Sequence, residues 1–127
     1  MILLDTFALV ELFDGTKKGE KVKQLIQEAG PDNVCISALS LFETGYTIER
    51  RAGWERAQEY VWSIQDFYRV IDIDRRNCLA AIGLKRHFKL PALDCLIYST
   101  ARSVNAKIVS GCKHFKAIAD QDDVILL

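Results

Sequence analysis

Short apolar runs recur along this chain, each bounded by turn or polar residues and each too short to be a buried helix. Met1-Ile-Leu-Leu4, Val34-Cys-Ile36, Lys107-Ile-Val109 and Val124-Ile-Leu126 have this form. Continuous runs of that length read as strands, and the pattern is that of a parallel sheet covered on both faces. Arg69-Val-Ile-Asp-Ile73 alternates and reads as the third strand in chain order.

The segments between the strands have helical spacing. Thr6 is placed to cap a short helix carrying Leu9, Val10, Leu12 and Phe13, which Asp14-Gly15 ends. Lys17 to Ala29 aligns Val22, Leu25, Ile26 and Ala29, and Gly30-Pro31 stops it. Ser40 to Arg51 sets Leu41, Gly45 and Ile48 on one side. Trp54 to Phe67 is expected to turn Ala57, Tyr60, Val61, Ile64 and Phe67 inward. Asp74 caps a helix through Cys78, Ala81, Ile82 and Lys85. Leu90-Pro91 breaks the chain before a helix from Asp94 to Val104, and Asn105 suits a left-handed cap. Strands alternating with helices predict an α/β fold with right-handed crossovers. The expectation is a single three-layer domain over residues 1–127, with a central parallel sheet of about five strands flanked by helices.

Bulk properties narrow the function classes. Half the residues are hydrophobic and only 2 are proline, which argues against disorder. Lys+Arg and Asp+Glu both total 17, which excludes a globally basic nucleic-acid binder but leaves room for local patches. Basic residues cluster at Lys17-Lys18, Arg50-Arg51, Arg75-Arg76 and Lys85-Arg86-His87. Taken singly, each cluster reads as a solvated helix face. The four cysteines, Cys35, Cys78, Cys95 and Cys112, form no CxxC pair, and Cys35 and Cys95 read as buried small hydrophobes. Asp5 and Glu11 interrupt the N-terminal apolar stretch, so no signal peptide is expected, and no run is long enough to span a bilayer. A reduced, cytoplasmic protein is the expectation. No Gly-rich phosphate cradle or Gly-x-Ser-x-Gly is present, and Asp5-Thr-Phe7 lacks the second Asp of a haloacid-dehalogenase-type phosphatase.

The chemistry-bearing residues are three acids. Asp5 closes the first apolar run, Glu43 lies just past the second, and Asp94 opens a later helix. Each has an ordinary explanation alone. Asp5 could help start a helix. Ser40-Leu-Phe-Glu43 matches a capping box. Asp94 complements a helix dipole. As a set they fit something else. If the first two runs are neighbouring parallel strands, all three carboxylates reach one crevice at the carboxyl ends of the strands. Crowded carboxylates favour a hard cation, which predicts Mg²⁺ or Mn²⁺ and metal-assisted phosphodiester chemistry.

These segments resemble the PIN domains, in particular the small VapC-like toxins of toxin–antitoxin systems. Ile2-Leu-Leu-Asp-Thr-Phe-Ala8 resembles the first strand with its Asp-Thr/Ser pair. Ile36-Ser-Ala-Leu-Ser-Leu-Phe-Glu43 resembles the segment that delivers the Glu. Leu90-Pro-Ala-Leu-Asp-Cys-Leu-Ile-Tyr-Ser-Thr-Ala101 resembles the helix that delivers the third acid, and Val109-Ser-Gly-Cys-Lys-His-Phe115 the final motif, usually Thr/Ser-x-Asp-x-x-Phe. The resemblance covers essentially the whole chain in order. It implies a metal-dependent endoribonuclease, often dimeric and often held inactive by a small antitoxin protein. It also implies catalytic and metal-site roles for Asp5, Glu43 and Asp94, with Thr6 and Ser110 as accessory hydroxyls and RNA cleaved to a 5′-phosphate and a 3′-hydroxyl. Arg50, Arg86, Lys113 and Lys116 are the basic residues assigned to flanking RNA phosphates.

The chain departs from the family at Cys112, where a fourth acid is usual. A thiol is a poor substitute for a carboxylate on Mg²⁺. The alternative expectation is therefore a catalytically impaired PIN-like module that binds an antitoxin or RNA. Cys112-Lys-His114 could also offer sulfur and nitrogen to Zn²⁺. The short spacing without a second pair favours a plain small buried residue instead. Asp120, Asp122 and Asp123 could restore the missing charge, although a solvated acidic turn is the simpler reading.

Overall fold

A computed structural model describes all residues from Met1 to Leu127. Five strands form one sheet: β1 (Ile2–Leu4), β2 (Val34–Ser37), β3 (Arg69–Ile71), β4 (Lys107–Ser110) and β5 (Val124–Leu126). The order is β3-β2-β1-β4-β5, and every pairing is parallel. The chain builds one half outward from β1, then returns to β1's other edge to build the second half. The switch point thus lies between β1 and β4, where open α/β sheets form a crevice.

Seven helices cover the sheet: α1 (Thr6–Asp14), α2 (Lys17–Ala29), α3 (Ala38–Ala52), α4 (Trp54–Phe67), α5 (Arg75–Phe88), α6 (Ala92–Ser103) and α7 (Lys113–Lys116). Strand side chains alternate between the two faces. Leu3, Cys35 and Ile108 are in register and join Ala81, Leu84, Cys95, Ile97, Tyr98, Ala101 and Phe115 in one core. Ile2, Leu4, Val34, Ile36 and Val109 face the other way, with Ala8, Leu9, Val22 and Ile64. Both faces of the central strands are therefore dry, as the unbroken apolar runs require. Burying each such side chain contributes roughly 1.5–3 kcal/mol.

Local chemistry sets the helix ends. Gly15 takes a left-handed conformation (φ 65°) and closes α1. α2 then packs so closely on α1 that a Cβ at Gly19 would lie 2.3 Å from the Glu11 carbonyl oxygen. Asp74 and Asn77 exchange capping bonds of 3.0 and 2.9 Å at the start of α5. Asn105 adopts the expected left-handed turn (φ 53°).

Several expectations are corrected. Asp5, not Thr6, caps α1: its carboxylate accepts the Ala8 amide at 2.9 Å, because the helix already starts at Thr6, one residue earlier than a Thr6 cap would place it. Ser37, not Ser40, caps α3 and accepts the Ser40 amide at 3.1 Å. The Ser40–Glu43 capping box does not form, since Ser40 is already inside the helix. Phe67 is 74% exposed rather than inward. It ends α4 beside β3, the edge strand, where no further element covers it. β3 stops at Ile71. The short helix α7 and a 3₁₀ turn at Pro31–Asn33 carry no apolar period long enough to read.

Candidate metal centre

The carboxyl ends of β1 and β4 open into a cleft of about 550 Å³. Asp5, Thr6, Phe7, Glu43, Asp94, Cys112 and His114 are among the side chains that line it. The three predicted acids thus meet, delivered by three separate elements.

Asp5 sits directly after β1. Its amide donates to the Val109 carbonyl at 3.2 Å, which fixes the backbone at the switch point. The side chain is 5% exposed. Burial raises its pKa to about 7. The Ser110 hydroxyl and the Ala8 amide pull it down, while Asp94 and Glu43 add repulsion.

Glu43 lies in the second turn of α3. With no capping role, its Oε1 accepts the Thr6 hydroxyl at 2.8 Å. Partial burial raises its pKa, Thr6 lowers it, and Asp94 raises it again. Thr6 therefore holds an acid in place, as an accessory hydroxyl would. Ser110 ends β4, and its Oγ also accepts the Cys112 amide at 3.2 Å.

Asp94 lies in the first turn of α6. Burial raises its pKa and His114 opposes that. His114 Nδ1 approaches Asp94 Oδ2 to 2.9 Å. The approach is close enough for attraction but is not aligned as a hydrogen bond, and Oδ2 is buried without a donor. A buried carboxylate oxygen without a donor is costly, and a cation would relieve that cost. The donor chemistry suits a hard divalent ion: carboxylate oxygens gathered in one cleft, with repulsion between them.

Other expected residues lie elsewhere. Neither Arg50, Arg86, Lys113 nor Lys116 lines the cleft. Arg50 rests over the Tyr46 ring at 5.5 Å in the last turn of α3. Lys18, read from the sequence only as part of a solvated cluster, stands 5.0 Å from the Phe7 ring centroid, and Phe7 is in the cleft wall. Asp123 does not compensate for Cys112. It precedes β5 at the opposite end of the sheet, where it accepts from Tyr98 and from Arg102, the latter at 2.7 Å. Asp120, Asp122 and Asp123 lie in the turns before β5, as the simpler reading expects, with Asp120 and Asp122 exposed and Asp123 also tied to Tyr98 and Arg102. Cys112, by contrast, is not the plain buried residue expected. It is partly exposed, and with Asp94 and His114 it forms a set of donor atoms all within 4.8 Å of one another.

The PIN domain profile matches residues 2–121. The chain belongs to the PIN domain family. Solved structures agree on the fold of this PIN domain. A toxin–antitoxin complex from Klebsiella pneumoniae superposes with a TM-score of 0.79 at 21% identity, covering 98% of this chain and 96% of that one. VapBC2 from Rickettsia felis, bound to a promoter DNA fragment, gives 0.74 at 21% identity over 100% and 98%. VapC20 from Mycobacterium tuberculosis, a toxin that cleaves the sarcin–ricin loop, gives 0.73 at 21% identity over 93% and 95%. A search of curated proteins by sequence returned no match. No helix of this PIN domain is long and apolar enough to cross a membrane.

Proposed function

We propose that this PIN domain is a metal-dependent endoribonuclease of VapC toxin type, acting on RNA phosphodiester bonds with Mg²⁺ or Mn²⁺. One observation carries the reading. Asp5, Glu43 and Asp94 come from separate elements into one cleft at the switch point, where all three are held above the ordinary carboxylate range. Structural acids are usually paired with cations that lower their pKa. Burial raises all three here, with mutual repulsion added at Asp5 and Glu43 and only His114 opposing it at Asp94, and perturbed groups in a cleft mark functional sites.

Asp5 and Asp94 would hold the ion, with Glu43 as a further ligand or as acceptor for a coordinated water. A divalent ion there supplies positive charge that acidifies water and offsets charge on the phosphate oxygens. Thr6 fixes the Glu43 carboxylate through the 2.8 Å bond. Ser110 and the Ala8 amide orient Asp5. A carboxylate takes the proton of the attacking water as its oxygen bonds to phosphorus. The bond from phosphorus to the 3′ oxygen breaks and that oxygen gains a proton, leaving a 5′-phosphate and a 3′-hydroxyl. Lys18 at the Phe7 wall, with Arg50, Arg86, Lys113 and Lys116 farther out, would hold flanking phosphates.

Cys112 favours a second reading, a PIN-like module with eroded catalysis. RNA cleavage with Mn²⁺ separates the two. Nuclease function predicts activity in the wild type, loss in Asp5→Ala and gain in Cys112→Asp. An inactive wild type with an active Cys112→Asp supports the module. Activity that survives Asp5→Ala contradicts the site assignment.

We also propose a small antitoxin protein as partner and assembly as a homodimer. The first is supported by the toxin–antitoxin complexes among the structural relatives and by an apolar groove between α3 and α4. Phe42, Trp54 and Trp62 line that groove at 60–63% exposure, an unusual amount of bare aromatic surface. The second is supported by Leu79 and Ile82, both exposed on α5. The whole chain, residues 1–127, acts in this reading as one domain.

A further inference from the structure

The cleft holds a second donor set whose chemistry differs from the three carboxylates. Asp94 offers an oxygen, Cys112 a sulfur and His114 a ring nitrogen, all within 4.8 Å of one another. Their seats are firm. Cys112 and His114 flank the start of α7, which is pinned to the core by Phe115, fully buried and edge-on to Tyr98 at 5.7 Å. Asp94 sits on α6, the helix that also carries Tyr98. None of the three donors is committed elsewhere. Cys112 precedes α7 but its thiol makes no capping bond. Asp94 Oδ2 is buried without a donor although His114 Nδ1 is 2.9 Å away. All three side chains are partly exposed, so small rotations are open to them.

We propose that Asp94, Cys112 and His114 form a binding site for a thiophilic divalent cation of the Zn²⁺ class. Sulfur, nitrogen and oxygen donors at about 2.0–2.3 Å suit Zn²⁺, and three protein donors leave a fourth position for water. The charges match: a thiolate and a carboxylate neutralise the ion and the imidazole binds neutral. The Cys112 thiol releases its proton to solvent as the sulfur–metal bond forms. The site needs only these three residues. A consequence rests on the nuclease reading: Asp94 belongs to both donor sets, so an ion bound to Cys112 and His114 withdraws it from the Mg²⁺ or Mn²⁺ position and inhibits cleavage.

The direct test is spectroscopic and independent of nuclease activity. The reduced, metal-free full chain is titrated with Co²⁺ and then with Zn²⁺. The expected result is a thiolate-to-cobalt band in the near ultraviolet with visible bands of a four-coordinate site, both abolished by Zn²⁺. Cys112→Ser removes the near-ultraviolet band and His114→Ala weakens cobalt binding at least about 10-fold, the loss that even outer partners of a metal ligand cause. Cys78→Ser, which removes the exposed thiol on α5, leaves the band unchanged. No band in the wild type, a band that survives Cys112→Ser, or one lost in Cys78→Ser overturns the proposal. X-ray absorption of the zinc-loaded wild type gives an answer without any variant: one sulfur at about 2.3 Å supports it and none contradicts it. If cobalt binds as expected but the wild type cleaves no RNA with Mn²⁺, the nuclease reading fails and the metal site stands.

Discussion

The Thr6 hydroxyl donates to Glu43 Oε1 at 2.8 Å, across 37 positions of sequence, and so ties the first turn of α1 to the second turn of α3. It fixes the rotamer of an acid that faces Asp94 across the cleft. Removing the hydroxyl frees the carboxylate and leaves it without that donor. Thr6→Val is expected to lose about 1 kcal/mol of stability and to slow Mn²⁺-dependent cleavage roughly 10-fold or more. Thr6→Ser keeps the donor and is expected to stay near wild type. Denaturant melts beside single-turnover rates check both.

Asp5 has two separable roles, helix cap and site acid. Asparagine caps a helix as well as aspartate does, whereas alanine does not. Asp5→Asn is expected to abolish cleavage while leaving the metal-free protein as stable as wild type or more so, because the cost of burying a charge, and the repulsion added by Asp94 and Glu43, are removed. Asp5→Ala loses cleavage and about 1 kcal/mol of stability as well. Thermal melts without metal distinguish the two variants.

The raised acids give stability a definite pH dependence. Asp5 ionises at about 7 in the folded chain against an ordinary value of 3.8. Between those values the folded state binds more protons than the unfolded one, so stability falls as pH rises through that window and levels off above it. Glu43 and Asp94, also raised, act in the same direction. The contribution of these groups makes metal-free wild type melt several degrees higher near pH 5 than near pH 8, and Asp5→Asn flattens the profile. Mn²⁺ needs ionised carboxylates, so its stabilising effect is larger near pH 8.

Gly111 precedes Cys112 and lies against Phe7, where an added Cβ would come 2.4 Å from the ring. Phe7 lines the cleft, so the ring must move into it or the loop must shift. Gly111→Ala is expected to cost about 1–3 kcal/mol, the usual range for overpacking. It should also weaken Mn²⁺ binding. Calorimetry on the variant reports both.

The α3–α4 groove is predicted to be a protein-binding surface rather than part of the site. Trp62→Glu should leave Mn²⁺ binding, RNA cleavage and the oligomeric state near wild type and abolish neutralisation by the antitoxin. Light scattering and a cleavage assay with the antitoxin check this.

Much of the architecture was legible because the strands announce themselves. Leu3 and Ile108 face one core while Ile2 and Leu4 face the other, and only a doubly covered parallel strand tolerates such unbroken runs. The convergence of Asp5, Glu43 and Asp94 followed from their places at strand and helix ends. Local signals misled where two fitted the same stretch. Ser40 and Glu43 match a capping box, but Ser37 caps first, which frees Glu43 for Thr6. His114 carried little weight because a two-residue spacing from Cys112 is weak alone. Its significance depends on Asp94 arriving from another helix, and spacing along the chain does not show that. Phe67 faces out because helical period identifies a stripe, not where the covering layer ends.

The most direct measurement is a crystal structure of the reduced protein soaked in Mn²⁺, with anomalous data collected at the manganese edge. The proposed function predicts one peak in the cleft, with Asp5 and Asp94 carboxylate oxygens at about 2.0–2.3 Å or one water away, and Glu43 still bonded to Thr6. A cleft without manganese at saturating concentration, or a peak elsewhere on the molecule, contradicts it.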